Sequence, residues 1–505
     1  MEIRFLDVIV IVAYLAAMVG MAFYFARRNT NTEEYFVGGR SFSGWVIGLS
    51  LLGTIVSSQT FLALPAAAYT LDWRQLAVNF PLPVVAILAI LVFLPLFRQT
   101  RLTSAFEYLG RRYSTFPRIY GTISFIIMQL IRAAQVLFLM SLPIQFVTGL
   151  PVELVIILSA IFVGVYTIAG GIDVVIWTDV IQTLVLIFGG LVCLLCIVFM
   201  LPHGVSDVFE VASMENKFSL GSFDWDITRR TFWTVLILGV VNWLAIYGGD
   251  QNVVQRYASA KSLKEARKAV ILFSALALPI WTFFFFVGTS LFAYYSIYPN
   301  PAIAGLEADG VLPYFILSRV PSGVAGLLIA AVIAAAMSTM DSSINAIATV
   351  SVVDILRPYL AKGRSDAYYL RAAKIIAGLA TCLIVVGATV FANMDKESMT
   401  DVSLVVTSVF GGCLMSLFMV GFFTRRVDGR SASIALIAAI VWNVYLVLCL
   451  LSILPSCTTV EVHSYWIGPL VNLGFIVVAY VLSLLRRTKA LELDRLTVWT
   501  MRKSL

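Results

Sequence analysis

Residues 48–60 read GLSLLGTIVSSQT and interrupt an apolar segment that extends over residues 44–70. In a lipid bilayer, irregular backbone is tolerated only where it is buried in protein or lines a water-filled cavity. We therefore expect the helix to break here if the segment crosses a membrane. The unwound backbone would offer carbonyl groups to a cation and N–H groups to a solute. Polar packing between neighbouring helices is the alternative use of these residues.

The composition indicates that this segment belongs to a membrane protein. Hydrophobic residues make up 60% of the 505 residues and charged residues 12%, about half the ~25% found in soluble domains. A single soluble core cannot bury that much apolar surface, which excludes a water-soluble enzyme and a disordered chain. Long apolar runs, rather than short alternating ones, predict an all-α integral membrane protein.

Thirteen segments are long and apolar enough to be transmembrane helices. Their approximate limits are residues 7–26, 44–70, 75–97, 117–147, 151–168, 172–200, 231–249, 268–293, 321–349, 372–393, 401–423, 432–453 and 464–485. With the N-terminus outside, most of the 35 lysines and arginines fall in cytoplasmic loops. The positive-inside rule therefore predicts an N-out/C-in, multi-pass protein of the cell membrane, which suits a bacterial inner membrane. The net charge of +7 then reflects these loops and not nucleic-acid binding.

Besides charged residues near the span ends, three lie at bilayer depth within the predicted spans, where a charge is costly and usually functional. Asp179 and Asp341 lie at similar height, because each is roughly two helical turns from the cytoplasmic end of its span. Arg132 lies at the middle of its span, where its forked donors can clamp a carboxylate. A structural ion pair is the alternative role for Arg132.

The residues around Asp341 place hydroxyl groups on one helix face. Ala335, Ser338, Thr339 and Ser342 are spaced i, i+3, i+4 and i+7, so they share that face. Hard cations prefer oxygen donors of this kind, although the hydroxyls could instead bond to their own helix or join two helices. The two carboxylates at matching depth favour a sodium site.

A second weak point follows the seventh span, where residues 247–252 read YGGDQN. Interrupted helices at corresponding positions of two repeated halves mark the binding site of a secondary transporter. The sequence therefore predicts a transporter whose solute and ion sites lie between two broken helices.

Four motifs in this order resemble the sodium:solute symporter family: EEYFVGGR at 33–40, GGIDVVIWTDVIQ at 170–182, DQNVVQR at 250–256 and MSTMDSSIN at 337–345. Within the family, SSQTF at 57–61, AYTLDW at 68–73, TSAFEYL at 103–109 and Arg132 are most similar to bacterial sodium-coupled sialic acid transporters. The resemblance implies a single transporter domain, 1–505, with the LeuT-like fold. It would consist of an extra first helix (7–26), a five-helix repeat (44–200), an inverted second repeat (231–423), two C-terminal helices (432–485) and a cytoplasmic tail (486–505).

The resemblance also implies a set of site residues. The first sodium site would use the backbone of Gly53, Val56 and Ala335 with the hydroxyls of Ser338 and Thr339. A second sodium would lie among Asp179, Ser338, Asp341 and Ser342. The solute carboxylate would meet Ser57, Thr60 and Arg132, with Gln75 and Asn79 lining the same pocket and Tyr247 as an inner gating aromatic. The chain differs from the sialic acid transporters at Ile55, Asn79 and Asp341, where they have Thr, Gln and Ser.

These features predict a sodium-coupled symporter that imports a sialic acid or a similar carboxylated sugar by alternating access. Na⁺ would be the co-transported ion, and the protein would work as a monomer in the lipid membrane. A symporter of a neutral sugar or polyol, proton coupling through Asp341 and a channel-like permease are the alternatives. Neither paired catalytic acids nor a nucleophile motif points to an enzyme.

Overall fold

The computed structural model describes residues 4–26, 31–394, 409–450, 453, 462–486 and 493–501. In these ranges the regular secondary structure is helical, apart from one isolated β-bridge between Phe42 and Ala260. The helices, numbered in chain order, are α1 Phe5–Ala26, α2 Thr32–Val37, α3 Gly44–Ile55, α4 Leu64–Thr70, α5 Leu82–Leu88, α6 Leu94–Thr100, α7 Ala105–Arg112, α8 Thr115–Thr148, α9 Val152–Phe199, α10 Val205–Met214, α11 Phe232–Gly249, α12 Gln251–Ser259, α13 Leu263–Ile297, α14 Ala308–Arg319, α15 Val324–Val350, α16 Asp366–Ala392, α17 Leu414–Phe423, α18 Gly429–Leu450 and α19 Ile467–Leu485. A 3₁₀ segment, Arg74–Asn79, precedes α5, and π-helical segments Gln59–Ala63 and Ser351–Leu360 adjoin α4 and α15.

Nine helical stretches in the described ranges are long and apolar enough to cross a membrane, or ten if the bent pair α3–α4 is one span. This is an all-helical, multi-pass membrane protein, with fewer long stretches than the thirteen predicted spans. Two predicted spans are joined in α9, and two others correspond to the shorter apolar helices Phe5–Met21 and Val409–Phe423. Residues 401–408 and 451–452 of the predicted spans lie outside the described residues, as do 487–492 and 502–505 of the predicted tail.

The predicted break in the second span is confirmed. Helix α3 ends at Ile55, and α3 and α4 meet at an angle of 60°. Val56 has extended backbone angles (φ −84°, ψ 105°). Its N–H still bonds to the carbonyl oxygen of Leu52 at 2.8 Å, and the chain leaves the helix after it. Polar side chains on either side of the break can form hydrogen bonds with backbone groups that would otherwise have no partner.

The predicted spans 151–168 and 172–200 meet in one 48-residue helix, α9, that is kinked at Gly171. No loop separates them because Gly171 alone turns the chain, with φ 55° and ψ −158°. Only glycine readily adopts this conformation. A Cβ atom here would also lie 2.8 Å from the carbonyl oxygen of Tyr35, so the glycine lets α2 approach the kink.

The second predicted break is also confirmed, since α11 ends at Gly249 and α12 begins at Gln251, with Asp250 extended between them. Helix α12 is buried along its whole length. Arg256 falls between the predicted spans 231–249 and 268–293, where the N-out arrangement predicts a cytoplasmic loop. For Arg256 this prediction is wrong. Arg256 is fully buried, because α12 folds back into the helix bundle and does not run along its surface.

Helix α15 lies at the centre of the bundle, with nearly all its residues buried, and packs against α9, α8, α1 and α3. Its N-terminus is held by the first helix. Asp7 accepts hydrogen bonds from the backbone N–H groups of Gly323 (2.6 Å) and Gly326 (2.8 Å). A carboxylate is favourable there because it satisfies free N–H groups and lies at the positive end of the helix dipole.

Candidate functional site

A cavity of about 300 Å³ lies beside both helix breaks. Helices α8, α11, α13, α17 and α19 contribute to its wall together with the residues after the α3 break. Its apolar lining includes aromatic rings from Trp243, Trp281, Phe125 and Phe418, whereas polar groups come from Ser57, Gln59, Thr60, Asn79, Gln129, Arg132, Gln135, Asn242, Asp250 and Asn472. A mostly apolar wall with a few convergent polar groups is typical of a small-molecule site.

Four of the five residues predicted to bind solute line this cavity. They are Ser57, Thr60, Asn79 and Arg132. Gln75 does not line it: its side chain is buried elsewhere in the structure. The 3₁₀ segment Arg74–Asn79 rises about 2 Å per residue. Gln75 therefore lies one turn or more along the segment from Val78 and Asn79, which line the cavity.

Arg132 faces a carboxylate that the sequence analysis did not assign to the site. Asp250 lines the same cavity, and the two charges attract each other. Arg132 forms none of the ion pairs within 4 Å among the described residues. Asp250 caps α12 by accepting the N–H of Asn252 at 2.8 Å, and Gln129 donates to its other oxygen at 3.4 Å. The sequence signal for a place of Asp250 in the cavity is its position directly after Gly248 and Gly249, at the second predicted helix break.

The groups predicted for the first sodium site lie together where α15 faces the α3 break. The hydroxyl of Ser338 donates to the carbonyl oxygen of Gly53 at 2.8 Å, and that of Thr339 donates to the next carbonyl of α3 at 3.3 Å. Both hydroxyls also contact the carbonyl oxygen of Ala335. Val56, Gly53 and Ser338 line a common crevice. Hydroxyl and carbonyl oxygens in such an arrangement can coordinate a hard cation.

The residues predicted for the second sodium site are divided between two environments. Asp179 is fully buried and binds Arg256, whose Nη2 lies 2.6 Å from Oδ2 of Asp179. The same guanidinium donates to the hydroxyls of Ser342 (2.7 Å) and Ser50 (2.8 Å). Ser50 in turn donates to Asp179 at 2.5 Å. Arg256 and Ser50 were not identified from the sequence, because their separation along the chain conceals the contact.

Asp341 has different partners from Asp179. Its Oδ2 accepts hydrogen bonds from the hydroxyls of Tyr166 (2.9 Å) and Thr178 (3.4 Å), both on α9. Ser338 does not reach either carboxylate, since its hydroxyl is directed to Gly53. The similar membrane depth of Asp179 and Asp341 agrees with their interaction in the structure. It did not indicate that the two carboxylates have different hydrogen-bond partners.

Tyr247 lies behind the cavity wall and is not part of it. Its hydroxyl pairs with that of Ser274 at 2.8 Å, and its ring packs against those of Trp243 and Phe273. The Trp243 ring, which lines the cavity, is thus in contact with Tyr247.

Known proteins are similar to this chain in sequence and in fold. The profile of the sodium:solute symporter family matches residues 35–439. The chain belongs to that family. It is 34% identical over 436 residues to the sodium/sialic acid symporter NanT of Aliivibrio fischeri, with 86% of each chain covered. It is 33% identical over 442 residues to the sodium/sialic acid symporter SiaT of Proteus mirabilis, with 87% of this chain and 89% of the relative covered.

A solved structure agrees with the fold. It is a substrate-bound, outward-open state of a Na⁺-coupled sialic acid symporter. The match covers 97% of this chain and 100% of the chain in that structure, with a TM-score of 0.86 and 30% sequence identity. Family membership makes this chain a sodium-coupled solute symporter of the membrane and not an enzyme.

Proposed function

We propose that the chain imports a sialic acid, or a similar carboxylated sugar, together with Na⁺. The observation that carries the proposal is the Arg132 guanidinium in the lining of the cavity, next to the hydroxyl-bearing break that contains Ser57 and Thr60. A guanidinium that lines a cavity can bind a carboxylate through paired, charge-assisted hydrogen bonds. The cavity volume of about 300 Å³ lies in the range of small-molecule pockets. The two relatives named as sodium/sialic acid symporters support the same solute class.

In this proposal, sodium at the first site joins the α3 break to α15. The site comprises Gly53, Val56, Ala335, Ser338 and Thr339. Ser57 and Thr60 follow the same break, so an ion that orders the backbone there also orders part of the solute pocket. Sodium and solute then raise each other's affinity by an equal factor, and low cytoplasmic sodium favours release inside. The second sodium set, Asp179, Ser338, Asp341 and Ser342, and the gating role of Tyr247 are part of the proposal.

The proposed topology has thirteen crossings in an N-out/C-in arrangement. Helix α1 precedes two inverted five-helix repeats (44–200 and 231–423), and 432–485 forms two additional helices before the tail 486–505. The positions of the two breaks support the repeats, because α3–α4 and α11–α12 would be the first helices of the two halves. The bacterial relatives support an inner-membrane location, and we propose a monomeric transport unit with a carboxylated solute.

A neutral sugar or polyol is the second candidate, and Asp250 favours it. With Arg132 and Asp250 both lining the cavity, the site has no net charge when empty. A neutral solute could hydrogen-bond to both groups, and its sugar ring could lie against the aromatic wall. A carboxylated solute must instead compete with Asp250 for Arg132.

Thermal stabilisation of the purified protein separates the two candidates. The solutes would be N-acetylneuraminate, gluconate, glucose and inositol, each in NaCl and in choline chloride. We expect a rise in Tm with N-acetylneuraminate in NaCl only, because a ligand that binds the folded state stabilises it. Arg132→Ala should remove that shift, whereas Gln75→Ala, outside the cavity, should retain it. A shift with glucose or inositol that survives Arg132→Ala would instead identify a neutral-solute symporter.

A further inference from the structure

A third interrupted helix borders the cavity, besides α3–α4 and α11–α12. The apolar helix Val409–Phe423 breaks at Gly412, where the chain turns with φ 46°, and α17 begins two residues later. The sequence analysis did not predict this break. The cavity wall includes residues on both sides of it, namely Gly411, Gly412, Leu414, Met415 and Phe418.

A side-chain amide takes the place of a helical hydrogen bond at this break. In an unbroken α-helix, the N–H of Ser416 would donate to the carbonyl oxygen of Gly412, four residues earlier. Asn472 of α19 bridges these two groups instead. Its Oδ1 accepts the Ser416 N–H at 2.9 Å, and its Nδ2 donates to the Gly412 oxygen at 2.8 Å. A side chain inserted into the backbone hydrogen-bonding pattern is a known cause of a helix kink.

The donors of Asn472 are fully used inside the protein, although the residue lines the cavity. A side-chain amide has two N–H donors. One binds the Gly412 oxygen, and Nδ2 also donates to the carbonyl oxygen of Gly468 at 2.8 Å. Only 3% of Asn472 is exposed. Asn472 therefore acts on a solute through the backbone that it holds, and not by donating to the solute itself.

Helix α18 supports the same break with a second amide. Nδ2 of Asn443 donates to the carbonyl oxygen of Val409 at 2.7 Å, the group that would accept the N–H of Cys413 in an unbroken helix. A Cβ atom at Gly412 would overlap with the hydroxyl of Tyr120, so the turn requires glycine for space as well as for its positive φ. The two C-terminal helices thus satisfy backbone groups that the break removes from the helical pattern.

Resting on the proposed function, we propose that Asn472 is a positioning residue for the solute site. It keeps the helix open at Gly412 and thereby fixes the glycine backbone and the Phe418 ring in the cavity wall. The C-terminal helices α18 and α19, which follow the two proposed repeats, would then set the affinity for solute. The hydrogen bonds of Asn443 and Asn472 described above do not involve α3 or α15, which bear the first sodium site. We therefore expect sodium binding without solute to be independent of them.

Isothermal titration of the purified full-length protein in NaCl, with N-acetylneuraminate and in parallel with glucose, tests this role. Asn472→Ala should weaken solute binding about tenfold, the upper range for loss of one hydrogen bond, whereas ²²Na⁺ binding without solute should equal that of the wild type. Asn443→Ala removes the other amide from a partly buried position and should act in the same direction, so it tests the same expectation if Asn472→Ala does not fold.

The matched control is Asn393→Ala, which should bind solute as the wild type does. Nδ2 of Asn393 donates to the carbonyl oxygen of Thr389 at 2.9 Å, at the end of α16, and neither residue lines the cavity. Wild-type solute affinity in Asn472→Ala and Asn443→Ala would overturn the inference. An equal loss of sodium and solute affinity would also overturn it, because that result indicates general loosening of the fold.

Labelling with N-ethylmaleimide measures the break without any solute. Cys413 is buried at the start of α17, whereas Cys382 is exposed and serves as the internal reference. Asn472→Ala should label faster at Cys413 relative to Cys382, and an unchanged ratio would overturn the inference. Wild-type binding of glucose and not of N-acetylneuraminate would contradict the proposed solute, while a tenfold loss of glucose affinity in Asn472→Ala would still support the inference. Binding of neither solute would contradict the proposed function and leave the labelling ratio to decide the role of Asn472.

Discussion

Single residues decide where charge can be buried in this protein, and Arg256 is the clearest case. Membrane depth alone identified Asp179 and Asp341, because carboxylates are conspicuous in apolar spans. Arg256 could not be found in the same way, since a basic residue after the end of a span normally belongs to a cytoplasmic loop. Only the return of α12 into the bundle brings Arg256 to Asp179, at 2.6 Å. The contact depends on tertiary structure that no local pattern encodes.

Removal of Arg256 should destabilise the protein strongly. Arg256→Gln leaves Asp179 as a buried charge without its ion-pair partner, and breaking a buried pair costs about 3–5 kcal/mol. The thermal unfolding midpoint in detergent should therefore fall. The double variant with Asp179→Asn should recover much of this loss, because neither charge remains. Equal destabilisation in the single and double variants would show that the pairing contributes little.

At the scale of helices, the sequence predicted the breaks better than the continuity between spans. The polar residues 48–60 and the glycines before Asp250 mark true interruptions. The sequence predicts a boundary between two spans at Gly170–Gly171, although α9 continues through it with one non-helical residue. Glycine is compatible both with a break between two helices and with a kink inside one helix. The contact with Tyr35 of α2 selects the kink.

The kink gives a test with an internal control. Gly171→Ala forces a side chain into positive φ and against the Tyr35 backbone, whereas Gly363→Ala is strained at φ 69° but has open space around it. Positive φ alone costs roughly 1–2 kcal/mol. We expect a clearly larger fall in Tm for Gly171→Ala than for Gly363→Ala. Equal falls would indicate that close packing at the kink is unimportant.

The hydrogen bonds between Asp7 of α1 and the start of α15 give a further prediction. Asp7→Ala should lower stability by about 2 kcal/mol, since two buried N–H groups at the start of α15 lose their acceptor. It should also weaken sodium binding, because α15 bears the predicted ligands Ser338 and Thr339. Asp207→Ala is the control: Asp207 accepts the N–H of His203 at 2.8 Å at the start of α10, far along the chain from these ligands. Unchanged sodium binding in Asp7→Ala would mean that α1 does not position α15.

For the whole molecule, membrane class and family motifs followed from the sequence, whereas the composition of the cavity did not. Hydropathy is a local property, so it predicted where helices lie but not which side chains converge. Gln75 was assigned to the pocket and lies outside it, and Asp250 was overlooked although it faces Arg132. The C-terminal helix α19 also contributes Asn472 to the wall, a contact between distant parts of the chain.

Sodium binding and solute binding should be coupled through the whole molecule. Because binding energies are linked, N-acetylneuraminate should increase the affinity for sodium by the same factor by which sodium increases the affinity for N-acetylneuraminate. Isothermal titration of each ligand with and without the other measures both factors. Independent binding, with neither affinity changed by the other ligand, would contradict a pocket that sodium helps to form.

Uptake of radiolabelled N-acetylneuraminate by proteoliposomes tests whether the protein imports a sialic acid together with Na⁺. With an inward sodium gradient, the solute should accumulate inside above its external concentration, and the accumulation should collapse when sodium is equal on both sides. Arg132→Ala should abolish uptake. Equilibration without accumulation, at the same rate in sodium and in choline, would contradict sodium-coupled symport of a sialic acid by this protein.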